Sequence, residues 1–323
     1  MNIFSDRPAW PAMLMRRTLQ IVVLALLIGT LCFFMARALP GDLATRIAAG
    51  RYGYDMVSNA AADAVRAELG LDRPMWQALL HWLGELARLD LGVSLVSGDP
   101  VLHEIAHSLG HTLWLSAVAV AMAALMGLPL GIWAGLHAQG LVDRATMAVA
   151  VLLRALPPFM LALLLMIVVA VQFGALPVAG HGHAGSVLLP ALTLALGMAA
   201  GLARVARGAM LAVVRSPAWE FARTKGLGDG QALWRHGLRN AAVPVVTWLG
   251  IQTVFLVEGA LVVETLFAWP GIGHALVHAI FGRDIPVLQG TALAMGLMFV
   301  LFNLLIDALC MVLDPRLRQG AAA

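Results

Sequence analysis

With 323 residues, 61% of them hydrophobic and only 12% charged, and a mean hydropathy of +0.86, the chain departs from soluble domains. Those are about 45–50% apolar and about 25% charged, so an ordinary soluble fold is excluded and lipid is indicated as the main solvent. A net charge of +3 and a pI near 9.4 would suggest nucleic acid in a soluble protein; here the basic residues gather in a few loops, where they read as topology signals, and no nucleic-acid partner is expected.

A membrane-spanning helix needs about 20 mostly apolar residues. Six stretches qualify in chain order: Leu19–Leu39, Thr112–Leu136, Ala155–Phe173, Val187–Val205, Val243–Val263 and Leu288–Leu313. Backbone groups in hydrocarbon must be satisfied within the span, so each is expected to be helical. The expected fold class is therefore all-α: a polytopic bundle of six transmembrane helices. Pro129, Pro157-Pro158 and Pro190 are read as kinks or helix ends.

Arg16 and Arg17 precede the first span, Arg316 and Arg318 follow the last, and the loop from Arg204 to Arg239 carries most of the remaining basic residues. Six spans put these segments and Arg144 on one side. The positive-inside rule makes that side the cytoplasm and both termini cytoplasmic. The opposite loops are acid-rich, with Asp42, Asp55, Asp63, Glu68, Asp72, Asp90 and Asp99. The expected organisation is a cytoplasmic N-terminus (1–18), a first span (19–39), an external cap (40–111), a core of five spans (112–313) that includes a cytoplasmic loop (206–242), and a cytoplasmic tail (314–323). Within the cap, Ala61–Leu69 and Met75–Leu89 show helical spacing of apolar residues. Ala36-Arg37-Ala38 resembles a leader-peptidase site, but the apolar run is longer than a leader's and an arginine interrupts the triplet, so the first span is read as retained.

Cys32 and Cys310 both lie in apolar stretches, so no disulfide is expected. The sole lysine, Lys225, is followed by Gly226 and Leu227, which excludes the Gly-Lys-Ser/Thr of a phosphate-binding loop. Any ATP that drives this protein is hydrolysed by another polypeptide.

The most informative stretch is the loop Glu220-Phe221-Ala222-Arg223-Thr224-Lys225-Gly226, continuing to Arg239-Asn240 and Pro244. Its spacing fits two short helices about a glycine-rich turn. It resembles the EAA loop of bacterial ABC importer permeases, with Glu220, Ala222, Gly226 and Pro244 in the pattern's places and Phe221 replacing its first alanine. The resemblance sharpens to the peptide/nickel branch through five further segments. These are Leu39-Pro40-Gly41-Asp42, Leu69–Pro74 with Asp90–Ser94, Phe267–Gly273, Arg283–Pro286 and Asp314–Arg318. The resemblance implies a channel-forming permease of the bacterial inner membrane that pairs with a second, similar permease. Two cytoplasmic ATPase subunits, which bind the ATP and Mg, and an external substrate-binding protein complete the assembly; this chain holds no cofactor of its own. It further implies that Glu220, Ala222, Arg223, Gly226, Arg235, Arg239 and Asn240 form the ATPase-coupling loop. Short peptides are the preferred substrate, with nickel or a metal chelate as the alternative.

Charges inside spans are costly and tend to face a bundle interior or cavity. Of Glu258, Glu264, Asp307 and Arg154, Glu258 is the pathway candidate, with an interhelical partner as the competing reading. Arg154 and Glu264 are read as snorkelling to the interface. His103-Glu104-Ile105-Ala106-His107 matches the zinc-protease pattern, with His111 one further turn on. An intramembrane metalloprotease is thus the enzymatic alternative, disfavoured because the motif lies outside the second span and lacks the longer ligand context. His81, His181, His183, His274 and His278 complete the external histidines, which a metal substrate would suit. A gradient-driven transporter is a further alternative, but it has no evident use for the charged loop.

Overall fold

The computed structural model describes residues 9–38, 42–52, 58–68, 73–183 and 185–313. Among these, the chain is helical, and the only β pairing is an isolated bridge between Val93 and Pro100. Contacts divide it into two units, Met1–His111 with Pro270–Phe302, and Thr112–Trp269 with Asn303–Ala323.

In the first unit, α1 (Ala9–Ala38) contains the apolar run Met15–Met35. Three shorter helices follow: α2 (Leu43–Tyr52), α3 (Asn59–Glu68) and α4 (Met75–Ala87). The last two lie where the apolar spacing placed them; α2 was not foreseen, because its weak periodicity carries no signal. Asp42 caps α2 by accepting from the amide and hydroxyl of Thr45, and it pairs with Arg66 of α3 at 3.0 Å. Ala44, Ile47 and Ala48 of α2 pack against Ala62 and Val65 of α3. The Trp82 indole of α4 donates to the carbonyl of Gly29 at 3.2 Å, and a side chain at Gly29 would collide with Leu86.

The same unit explains two of the recurrent segments. Asp284 is 3% exposed. It accepts from the Ser94 hydroxyl and from the Val96 amide, and caps α13 (Ile285–Leu313) by accepting from Val287. The Asp90–Ser94 and Arg283–Pro286 segments, 190 residues apart, therefore meet at one buried carboxylate. An unforeseen helix, α12 (Ile272–Gly282), precedes it and ends at Arg283 in the left-handed conformation. Leu86, Leu91, Val101, Ile105, Ile272 and Val287 form the core here.

The second unit is built on α8 (Leu188–Val214), flanked by α6 (Leu141–Ala155), by α11 (Leu238–Leu266) and by the part of the long helix α5 (Val101–Leu136) that follows His111. α5 begins eleven residues before the expected Thr112, because Val101–Leu109 add helical turns whose apolar residues Val101 and Ile105 are buried. Gly127, Gly131 and Gly135, four apart, lie on α8: a Cβ on each would stand 2.8, 2.5 and 2.7 Å from α8 atoms. Small residues at this spacing let helix backbones approach where lipid supplies no hydrophobic drive.

The expected third span, Ala155–Phe173, is helical from Pro158 to Gln172, and α6 before it was not foreseen. α6 and the run formed by α7 (Pro158–Leu165) and its π-helical continuation Met166–Gln172 meet at 103°. Pro157 and Pro158 explain the break, since neither has an amide hydrogen and each disfavours helix in its predecessor. The expected fifth span is also bent, within α11. By length and composition the described residues hold four helices able to cross a membrane, or up to six when each bent pair counts as one.

Candidate functional site

The loop singled out by sequence lies in the second unit. Beyond α8, Ser216 caps α9 (Pro217–Thr224) by accepting from the Trp219 amide, with Pro217 at the first helical position. α9 stops because Gly226 takes φ +82. Its amide donates to Arg223, and the Leu227 amide donates to Ala222. This is the Schellman closure, which favours glycine at that position. The space around Gly226 is open, so the turn, and not close approach of another backbone, demands glycine. The chain then forms α10 (Asp229–Ala232) and a π turn, Leu233–Gly237, leading into α11.

α9 is amphipathic. Trp219 and Ala222 are buried among Met210, Val213, Ala232 and Ala241, so the helix is fastened to the ends of α8 and α11. The opposite face presents Glu220, Arg223 and Phe221, the last 60% exposed with the Lys225 ammonium over its ring at 4.5 Å. Trp234 is 76% exposed. These two aromatics were not foreseen as surface features; the departure of Phe221 from the alanine pattern was the available signal. Asn240 is exposed at the start of α11. The side chains of Arg235 and Arg239 lie outside the described residues.

Beside this loop, Asp143 in the first turn of α6 is 2% exposed and bound two-pronged by Arg207 of α8. The second prong is 2.7 Å, and the Gln139 amide adds a third donor at 2.8 Å. The pair escaped sequence reading because its members are 64 residues apart.

Among the charges expected within spans, Glu264 is fully buried and accepts from the Thr112 hydroxyl at 2.6 Å. The snorkelling expectation for it is therefore corrected: it sits too deep in the helix packing to reach an interface. Arg154, at the end of α6, lines a cavity of about 260 Å3 with Gln252 of α11 and Thr193 and Gly197 of α8. The side chains of Glu258 and Asp307 lie outside the described residues, as do Cys310 and the segments Leu39–Gly41, Leu69–Asp72 and Asp314–Arg318.

His103, Glu104 and His107 fall in the first two turns of α5, with the His107 and His111 rings edge to face at 4.7 Å. Among the described residues, no group of three or more His, Cys, Asp or Glu is arranged to hold a metal ion. His274 and His278 pair along α12 with ring centroids 4.4 Å apart.

Comparison with known proteins places this architecture. Residues 127–319 match the family described as binding-protein-dependent transport system inner membrane component, and residues 12–116 match the N-terminal component of such systems. The glutathione transport system permease protein GsiC of Pectobacterium atrosepticum is 39% identical over 94% of this chain and 97% of its own length. GsiC of Escherichia coli K12 is 36% identical over the same shares. A chain of the inward-facing MetNI methionine ABC transporter superposes with a TM-score of 0.59 at 18% identity, over 67% of this chain and 99% of that one. A chain of an amino acid ABC transporter crystallised with histidines gives 0.52 at 18% identity, over 64% and 93%; both show the fold. The chain belongs to the binding-protein-dependent transport system inner membrane components, and is a multi-pass ABC importer permease of the bacterial inner membrane.

Proposed function

We propose that this permease carries short peptides into the cytoplasm, with ATP hydrolysed by partner subunits that dock on α9 and the turn after it. The carrying observation for the substrate class is the extent of similarity to glutathione permeases, which spans 94% of the chain. The coupling role is supported by α9 itself. One face is fastened to the bundle through Trp219 and Ala222, and the other is left with Glu220, Phe221 and Arg223 exposed. A short helix transmits force only when it is held on one side and free to bind on the other.

In this reading the chain crosses the membrane six times, with α6–α7 and α11 each forming one bent crossing and both termini cytoplasmic. Residues 40–111 form the external cap and 206–242 the coupling loop. The assembly comprises a second permease, two ATPases and an external binding protein, with ATP and Mg on the ATPases alone. Closure of the ATPases around ATP moves α9, and through it α8 and α11, so that access to the pathway alternates.

The test is uptake of a radiolabelled tripeptide by the full assembly reconstituted in vesicles, with nickel as the competing cargo. Binding-protein-dependent and ATP-dependent peptide uptake is expected. Uptake of nickel without peptide would replace the peptide reading by the metal one.

A further inference from the structure

The cavity at the α6–α7 break has a position and a chemistry that the coupling account does not use. Gly197 of α8 and Gln252 of α11, which line it, lie near the midpoints of the apolar runs Val187–Val205 and Val243–Val263. Half of a hydrocarbon core about 30 Å thick separates such a level from lipid headgroups. To the wall of this cavity the end of α6 brings a guanidinium, about one turn of α8 from that level. The Arg154 head group lies against α8 at Gly201: a Cβ there would stand 3.2 Å from Arg154 Nη1 and 2.4 Å from the Trp248 ring. The glycine thus leaves the space in which both side chains settle. Among the described residues, no carboxylate lies within ion-pair distance of Arg154.

A permanent cation among apolar helices, facing an open cavity with no anion among the described residues, is expensive and marks a functional path more often than a structural one. The rest of the lining suits a polar guest with one charged end. Gln252 offers both donor and acceptor, and Thr193, whose hydroxyl donates to the Leu189 carbonyl, retains acceptor capacity. Leu153, Leu161, Met198 and Leu256 supply apolar wall. At about 260 Å3 the cavity is smaller than the roughly 300–1,000 Å3 of pockets that enclose a whole ligand, so it fits one end of a peptide. Substrate sites near the midplane at a break in a helix recur among transporters.

We propose that Arg154 binds the free C-terminal carboxylate of a peptide in transit, with Gln252 and Thr193 contacting the adjoining amide. The proposal rests on the peptide reading above. The carboxylate is the group common to every unblocked peptide, so a guanidinium there serves a broad range of side chains. Its planar fork matches a carboxylate with two parallel hydrogen bonds, which a lysine does not reproduce.

The test compares tri-alanine with tri-alanine amide in the complete assembly in vesicles, measuring KM for ATP-driven uptake. Arg154→Gln is expected to raise KM for the free acid about tenfold or more, the effect of losing one charge-assisted hydrogen bond, and to leave the amide within about twofold. Arg154→Lys is expected to fall between, and it carries the test if the glutamine variant does not assemble. Equal losses for acid and amide would overturn the proposal. Equal losses matched by Glu258→Gln would identify Arg154 instead as half of an internal pair with the carboxylate next to Gly259. Unchanged uptake of both peptides by Arg154→Gln would also overturn it. A native assembly that transports neither peptide would overturn the peptide reading, and this site with it; native uptake with any of the other contrary results overturns the site alone.

Discussion

Gly226 and Asp143 show how single positions hold this permease together. Gly226 stands at φ +82 with open space around it, so alanine there meets no atom but adopts a conformation costing about 1–2 kcal/mol for an L-residue. Gly226→Ala is expected to lower coupled uptake severalfold while leaving the protein in the membrane at native levels; Gly226→Pro is expected to abolish it, because proline also removes the amide that donates to Arg223. Normal uptake by the proline variant would remove the turn from the account. Asp143 is held by two donors from Arg207 and a third from the Gln139 amide. Asp143→Asn should lower the melting temperature in detergent, and the exchange Asp143→Arg with Arg207→Asp should recover part of the loss. Residue-scale chemistry was only partly legible in the sequence. Glycine at the turn followed from the spacing Glu220-Ala222-Gly226, whereas the Asp143–Arg207 and Ser94–Asp284 pairs depend on folding that brings distant positions together.

At the scale of elements, apolar runs located the spans but not their breaks. Hydropathy averages over a window and is blind to how successive runs join; it placed Ala155–Phe173 as a span but not α6, which meets that helix at 103° at Pro157-Pro158. The prolines were visible, but only packing decides between a kink and a full break. α12 and α2 were missed for a related reason: each is too short for a membrane signal, and neither carries a strong polar face. The glycine row on α5 is a sequence pattern whose partner emerges only in three dimensions. A methyl at Gly131 would stand 2.5 Å from the Ala203 carbonyl and 2.7 Å from the Ala206 methyl, so helix backbone must move. Gly131→Ala is expected to cost about 1–3 kcal/mol, the range for overpacked cores. Gly131→Val is expected to yield little folded protein by detergent size exclusion, while Gly84→Val, at a position with no neighbour within 4 Å, serves as the tolerated control. Native behaviour of Gly131→Val would show that α5 and α8 do not pack through this row.

On the scale of the whole molecule, the family was legible because its motifs are spread along the chain, from Leu39-Pro40-Gly41-Asp42 to Asp314–Arg318, in a fixed order. The substrate was not legible, since the residues that meet cargo carry no local pattern; Arg154 reads in sequence as one more basic residue beside a span. The proposed topology follows from the asymmetry of arginines, and single cysteines introduced at Ser5, Ser97 and Gln319 test it. Labelling of intact cells by an impermeant thiol reagent is expected at position 97 alone; labelling at one terminus only would require an odd number of crossings, and labelling at both would reverse the orientation. The central claim, that this permease is driven through α9, is tested most directly by isolating the tagged chain with its partner subunits in mild detergent. Native chain is expected to retain a second permease and ATPases bearing a phosphate-binding loop. Glu220→Arg combined with Phe221→Asp is expected to retain the second permease and lose the ATPases. Retention of the ATPases by that double variant would contradict the account.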